Sequence, residues 1–150
     1  MSAAAEPVRE PVRLPPAELV SLSPDVFTEL FWHAAGEHRL VLPRCSACGT
    51  FRLPPSAFCW KCRHQEVDWV EHPGTGTVYS FTVIRHPLMP ELADTVPHVP
   101  AVVELPNTNG CRLVGAMTDC AVSDVHIGLP VELVWRDIEE GVAVPTWRPA

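Results

Sequence analysis

Four of the six cysteines, Cys45, Cys48, Cys59 and Cys62, form two Cys-x-x-Cys pairs separated by ten residues. In each pair a tight turn lets both thiolates reach one ion, and two such knuckles complete a tetrahedral shell for a single zinc. Gly49, just after Cys48, supplies the backbone freedom such a turn needs; the second knuckle, Cys59-Trp60-Lys61-Cys62-Arg63, has no glycine there. A redox dithiol needs only one pair, at the start of a helix, whereas prolines and basic residues surround both pairs here. Iron is compatible with four thiolates, yet the insert between the knuckles is short for a rubredoxin. Four thiolates leave no open coordination position, so the metal is expected to staple the fold and not to act as a Lewis acid.

Arg44, Arg52, Lys61, Arg63 and His64 lie close to the cysteines in sequence. The simplest role for these cations is compensation of a doubly negative zinc-thiolate centre, ahead of nucleic-acid contact. Phe58 and Trp60 flank the second knuckle and are expected to cover the metal. The other candidate chemical groups are scattered. Seven histidines, His33, His38, His64, His72, His86, His98 and His126, form no local nucleophile or metal motif. Cys111 and Cys120 read as small buried hydrophobes, and Asp119 and Asp124 as turn formers. No catalytic residue is assigned.

The chain has 150 residues, 47% of them apolar, and a formal charge of −7. No apolar run approaches the length needed to cross a bilayer, and no secretory leader is visible, so a cytoplasmic protein is expected, with its cysteines reduced. An acidic surface repels phosphate backbones. The region from Gly74 onward holds only Arg85, Arg112, Arg136 and Arg148 as strong cations, which argues against a nucleic-acid module.

Three units are expected to position the cysteines. Residues 1–22 carry a doubled Glu-Pro-Val-Arg and read as a flexible proline-rich arm that could order against a partner. Residues 23–72 begin with a helix signature: Ser23 as cap, Pro24 at the first helical position, Asp25 in the first turn, Gly36 as stop. Its apolar set includes Phe27, Leu30 and Phe31, and together with Trp32 this is more apolar surface than a small ribbon can bury; these four residues are the candidate docking surface. The ribbon follows, entered by a strand at 39–43 and left through 51–55. Residues 73–150 contain strand patterns at 76–86, 101–105, 111–117, 131–137 and 142–147, with turn signals between them and no helix. Five short strands are most simply closed into an OB-fold barrel. The connection from Pro87 to Pro100 is long, contains four prolines, and suggests a cover or a contact with another chain.

The order of these pieces resembles one family. The carrying residues are Phe31-Trp32 with Gly36; Leu40-Val41-Leu42-Pro43-Arg44-Cys45-Ser46-Ala47-Cys48-Gly49; Pro54-Pro55 before Cys59-Trp60-Lys61-Cys62; Gly76-Thr77-Val78-Tyr79-Ser80-Phe81-Thr82-Val83; Ile127-Gly128-Leu129-Pro130-Val131; and the closing Pro145-Thr146-Trp147-Arg148-Pro149. They resemble the acyl-CoA-associated OB-fold proteins with a rubredoxin-like zinc ribbon, small partners of thiolase-fold enzymes. The arm before Ser23 and Arg63 depart from that pattern. The resemblance implies a mainly β chain, with an N-terminal helix, a zinc ribbon holding one structural ion, and a five-stranded OB-fold barrel. It also implies a non-catalytic subunit of a thiolase-like aldolase that cleaves a steroid side-chain CoA thioester by a retro-aldol step. An α2β2 heterotetramer is expected, with acyl-CoA held mainly by the catalytic subunit. Partnership with another thiolase-fold acyltransferase, or with a thiolase and hydroxymethylglutaryl-CoA synthase assembly, is the alternative.

Overall fold

Helix α1 spans Glu29–Gly36 and is entered through a turn that Asp25 organises. The Asp25 carboxylate accepts the amides of Phe27 (3.0 Å) and Thr28 (2.9 Å), and the Asp25 amide donates back to the Thr28 hydroxyl (3.0 Å). This reciprocal box satisfies the amides of the turn leading into the helix, and the helix cap falls at Thr28, five residues beyond the expected cap at Ser23. The Thr28 hydroxyl and the Phe27 amide hold the Asp25 carboxyl below its ordinary range. At the other end the left-handed residue is His38 (φ 59°), while Gly36 is needed for space. A Cβ there would lie 2.1 Å from the carbonyl oxygen of Gly141, in the hairpin against which the helix end rests.

The computed structural model describes residues 9–150, so most of the first Glu-Pro-Val-Arg copy lies outside the described residues. After α1, strand β1 (Leu40–Cys45) pairs antiparallel with β2 (Val67–His72), with Leu42 opposite Val70 and Cys45 opposite Val67. The expected exit strand at 51–55 is reduced to one bridge between Phe51 and Arg44; β2, which carries no uninterrupted apolar alternation, closes the ribbon instead.

The barrel comprises β3 (Thr75–Phe81), β4 (Pro100–Glu104), β5 (Arg112–Met117), β6 (Pro130–Glu139) and β7 (Val142–Pro149), closed in the order β3-β4-β5-β7-β6. This is the five-stranded closed sheet expected from the sequence. The closing β5–β7 pair is parallel and short, with Ala116 opposite Thr146 and Met117 opposite Trp147. Inward positions alternate along the strands, giving a core of Val78, Ala101, Val103, Met117, Val131 and Trp147. Gly115 makes room for the Trp147 indole: a Cβ there would meet the ring at 2.8 Å. Phe31, Leu40 and Leu42 join the same core, so helix, ribbon and barrel share one apolar interior. Strand β3 ends earlier than expected, at Phe81, after a bulge between Val78 and Ser80.

From Arg9 onward the arm differs from the flexible segment expected over 1–22. Its described residues lie on the protein's own barrel. The amides of Val12 and Arg13 donate to the carbonyls of Cys120 (3.0 Å) and Pro97 (2.8 Å), and the Val122 amide donates to that of Glu10 (2.8 Å). Proline prevents a helix here, but the resulting extended backbone is free to pair as an added edge. The Pro87–Pro100 connection contains a 3-10 turn, Pro90–Thr95, and meets the arm through Pro97 and through the His98 ring bound to the Arg13 carbonyl oxygen. Among the described residues no helix is long and apolar enough to cross a membrane.

Candidate metal centre and docking surface

The two knuckles are built alike. The amide of Gly49 donates to the carbonyl of Cys45, and that of Arg63 to Cys59, both at 2.9 Å. Likewise the Cys45 amide donates to Thr50 and the Cys59 amide to His64, both at 2.8 Å. Gly49 and Arg63 take the same left-handed conformation, with φ of 74° and 68°. Arg63 is thus held where glycine is the unstrained choice.

These turns bring all four sulfurs within 4.8 Å of one another, with Cys45–Cys62 and Cys48–Cys59 at 3.6 Å. A disulfide requires about 2.05 Å. Tetrahedral zinc-thiolate bonds of about 2.3 Å give sulfur–sulfur edges of about 3.8 Å. The four cysteines therefore fit a structural metal of zinc type. Their electrostatics agree. The Thr50 hydroxyl and amide lower the Cys48 thiol to about 6, and the Cys62 amide draws Cys59 down. Cys62 goes the other way: the His64 amide favours its thiolate, yet burial and the neighbouring sulfurs push it up to about 12. Four thiolates this close cannot all ionise without a cation among them, and a divalent ion supplies that charge.

Arg52 is the residue whose role the sequence does not disclose. It is only 2% exposed, and its two terminal nitrogens donate to the carbonyls of Ser56 (3.2 Å), His64 (3.4 Å), Gln65 (2.8 Å) and Glu66 (3.2 Å). The guanidinium thereby ties the exit of the first knuckle to both flanks of the second. Its Nε has no acceptor among the described residues. The other expected cations stay at the surface: Arg44 faces Asp68 at 3.9 Å, and the His64 ring contacts the Ser46 hydroxyl at 3.0 Å. Phe58 and Trp60 do not cover the metal as expected; they are 53% and 69% exposed. In a turn whose end residues converge on an ion, the residues between and before them face outward.

The four candidate docking residues separate. Phe31 is buried in the core at 5% exposure and Trp32, half-buried, meets it edge-on with centroids 4.9 Å apart. Phe27 and Leu30 point outward, at 44% and 57% exposure, and Val26 joins them at 82%. These three border a cavity of about 360 Å³ floored by Pro43, Pro55 and Trp69 of the ribbon. On the opposite flank of α1 a second, mainly apolar cavity of about 350 Å³ lies between Phe31, Trp32, Leu53, Val114 and Pro145.

The remaining candidate groups do not converge on a reactive centre. Burial pushes the Cys111 thiol up, and burial with nearby Asp124 and Asp119 pushes Cys120 up to about 11, so both are poor nucleophiles. Asp124 caps a turn through the Ala121 amide and holds Arg9. The four barrel arginines are engaged internally: Arg85 with Glu10, Arg112 with Glu104 and over the Tyr79 ring, Arg148 with Glu132, and Arg136 with the Pro15 carbonyl.

Comparison with known proteins places this geometry. Residues 32–68 match the family model described as the ChsH2 rubredoxin-like zinc ribbon domain, and residues 69–136 match the ChsH2 C-terminal OB-fold domain. A probable enoyl-CoA hydratase alpha subunit of Thermomonospora curvata is 44% identical over 80% of this chain and 37% of its own length. The 3-oxo-4,17-pregnadiene-20-carboxyl-CoA hydratase alpha subunit of Mycobacterium tuberculosis is 32% identical over 97% of this chain and 45% of its own. The chain thus spans less than half of either hydratase subunit. It matches 75% of a DUF35 domain-containing scaffold protein of Methanocaldococcus jannaschii, at 36% identity over 72% of this chain. Among solved structures, a chain of the Ltp2-ChsH2(DUF35) aldolase superposes with a TM-score of 0.76 and 39% identity, covering 86% of this chain and 98% of that one. With both halves matched in order, and the sulfur cluster falling within the ribbon half, this chain belongs to the ChsH2 zinc-ribbon and OB-fold family of DUF35 proteins.

Proposed function

We infer that this chain is the accessory, zinc-binding subunit of a thiolase-like aldolase, and that the catalytic partner cleaves the CoA thioester of a steroid side chain by a retro-aldol reaction. The observation that carries this reading is the match to nearly the whole of a chain in the Ltp2-ChsH2(DUF35) aldolase. Cys45, Cys48, Cys59 and Cys62 hold one zinc ion, which when bound fixes the ribbon. Four protein sulfurs leave that ion no position for substrate, and the other thiols are raised and inert, so the reacting groups belong to the partner. Phe27 and Leu30 on α1 supply docking contacts, with Phe31 and Trp32 setting the helix on the core from behind.

In the reducing cytoplasm the thiolates stay available for metal. The assembly is an α2β2 heterotetramer in lipid breakdown, with acyl-CoA held mainly by the partner. Engagement of all four barrel arginines within the chain weighs against nucleic acid as a ligand. A second reading, service as a scaffold in another thiolase-type assembly or acyltransferase, draws support from the match to the archaeal scaffold protein. Coexpression with a thiolase-fold candidate, followed by native mass spectrometry and a retro-aldol assay on a steroid side-chain CoA thioester, tests the inference. A mixed assembly with lyase activity is expected. A mixed assembly that only condenses acyl groups favours the second reading, and a chain that remains alone contradicts both.

A further inference from the structure

We propose that the exposed face of α1 docks a protein surface presenting an apolar side chain flanked by lysine or arginine; this rests on the partner reading above and adds the chemistry of the contact. The apolar half is the cavity of about 360 Å³ beneath Val26, Phe27 and Leu30. An apolar recess with exposed hydrophobic walls favours a buried anchor residue from another protein, but does not by itself choose one. Charge makes the choice. Glu29, on the same helix, and Glu139, on the β6–β7 hairpin, border an adjacent cavity of about 250 Å³ with Trp32 and Val142. Among the described residues, neither of them, nor Asp25 or Glu140 beside them, has a lysine or arginine within 4 Å. Seven carboxylates elsewhere, Glu10, Glu37, Glu71, Glu104, Glu132, Asp68 and Asp124, each face an arginine, whereas other described carboxylates without one, such as Glu91 and Asp119, do not border an apolar recess beside α1; His33, which also lines the cavity, faces Glu37 at 3.9 Å.

Uncompensated negative charge beside an apolar recess selects against anionic ligands and for a basic rim on the incoming surface. It also selects against a second copy of this chain. A twofold contact through α1 would bring two copies of the same acidic patch, with Glu29 and Glu139 in each, into one interface. Complementary charge of this kind acts mainly on the rate of encounter, and the apolar anchor mainly on the lifetime of the complex.

The experiment measures association and dissociation rates with the purified Ltp2 subunit of the related aldolase as probe, at several ionic strengths. Leu30→Glu is expected to shorten the complex lifetime at least about tenfold. The double variant Glu29→Lys, Glu139→Lys is expected to slow association at least about fivefold at low salt and to flatten its salt dependence. A second double variant, Glu91→Lys, Asp94→Lys, makes the same change of net charge on the Pro90–Thr95 turn, outside α1 and the β6–β7 hairpin, and is expected to stay within about twofold of the unaltered chain. Circular dichroism and metal content confirm that each variant is folded. If Ltp2 fails to bind the unaltered chain, the partner reading fails and this inference with it. If Ltp2 binds but Leu30→Glu or the α1 charge reversal changes nothing, or both charge reversals act alike, only this inference is overturned. Self-association of the chain that Leu30→Glu abolishes makes the occupant a second copy and overturns it as well.

Discussion

Replacing Arg52 by methionine keeps most of the aliphatic stem and removes the guanidinium that joins the two knuckles. Three of its four carbonyl contacts are 3.2 Å or shorter, to Ser56, Gln65 and Glu66. At about 1 kcal/mol net for each, their loss costs about 3 kcal/mol, and relief of the unpartnered Nε returns up to about 1 kcal/mol, leaving about 2–3 kcal/mol. Because the ribbon's folding and its metal binding are one equilibrium, the deficit is read as metal affinity. Competition against a chromophoric chelator is expected to show zinc held roughly 30- to 150-fold more weakly in Arg52→Met. Arg52→Lys is expected to fall between the two, since one ammonium cannot span both pairs of carbonyls. Zinc affinity within threefold of the unaltered chain in Arg52→Met would refute the assignment of Arg52 as the tie between knuckles.

Three further outcomes are expected. Arg63→Gly relieves a left-handed arginine (φ 68°) and raises the stability of the metal-loaded protein by about 1 kcal/mol in urea unfolding, whereas Gly49→Ala (φ 74°) lowers it by a similar amount. Gly36→Ala sets a Cβ 2.1 Å from the Gly141 carbonyl oxygen, and is expected to lower stability by about 1–3 kcal/mol, visible as a drop of several degrees in melting temperature. The Ala121 amide and Arg9 hold the Asp124 carboxyl below its ordinary value of 3.8. A depressed carboxyl adds stability that is present above the unfolded-state value and disappears as pH falls through the folded one. Relative to the intrinsic exchange rate at each pH, the amides of Val12 and Val122 are therefore expected to keep steady protection at pH 5 to 7 and to lose it sharply in acid below the ordinary carboxylate range. Asp124→Asn should show the lower protection already at neutral pH.

The barrel and the sulfur cluster were legible because their signals are local. Two Cys-x-x-Cys pairs specify their geometry through turn stereochemistry alone, and strands that alternate between turn residues allow few closed arrangements. What escaped depends on long-range partners. The chain ahead of α1 is held in a turn by Asp25 and Thr28, so that the helix starts only at Glu29, while Ser23 and Pro24 make an equally good signature on paper. Gly36 looks like a helix stop, yet its need arises from Gly141, far along the chain. Strand β2 has mixed composition and is specified by register with β1. Arg52 reads as one surface cation among several, because nothing in its neighbours reveals that four carbonyls converge on it. Phe31 and Phe27 are alike in sequence, and only the direction in which the core lies separates a buried anchor from an exposed contact.

The most direct test of the account is elemental analysis of reduced, freshly purified protein, set beside Cys48→Ala prepared in the same way. One zinc ion per chain in the unaltered protein, and a large loss in the variant, is the predicted result. Protein that is folded, reduced and free of metal would contradict it.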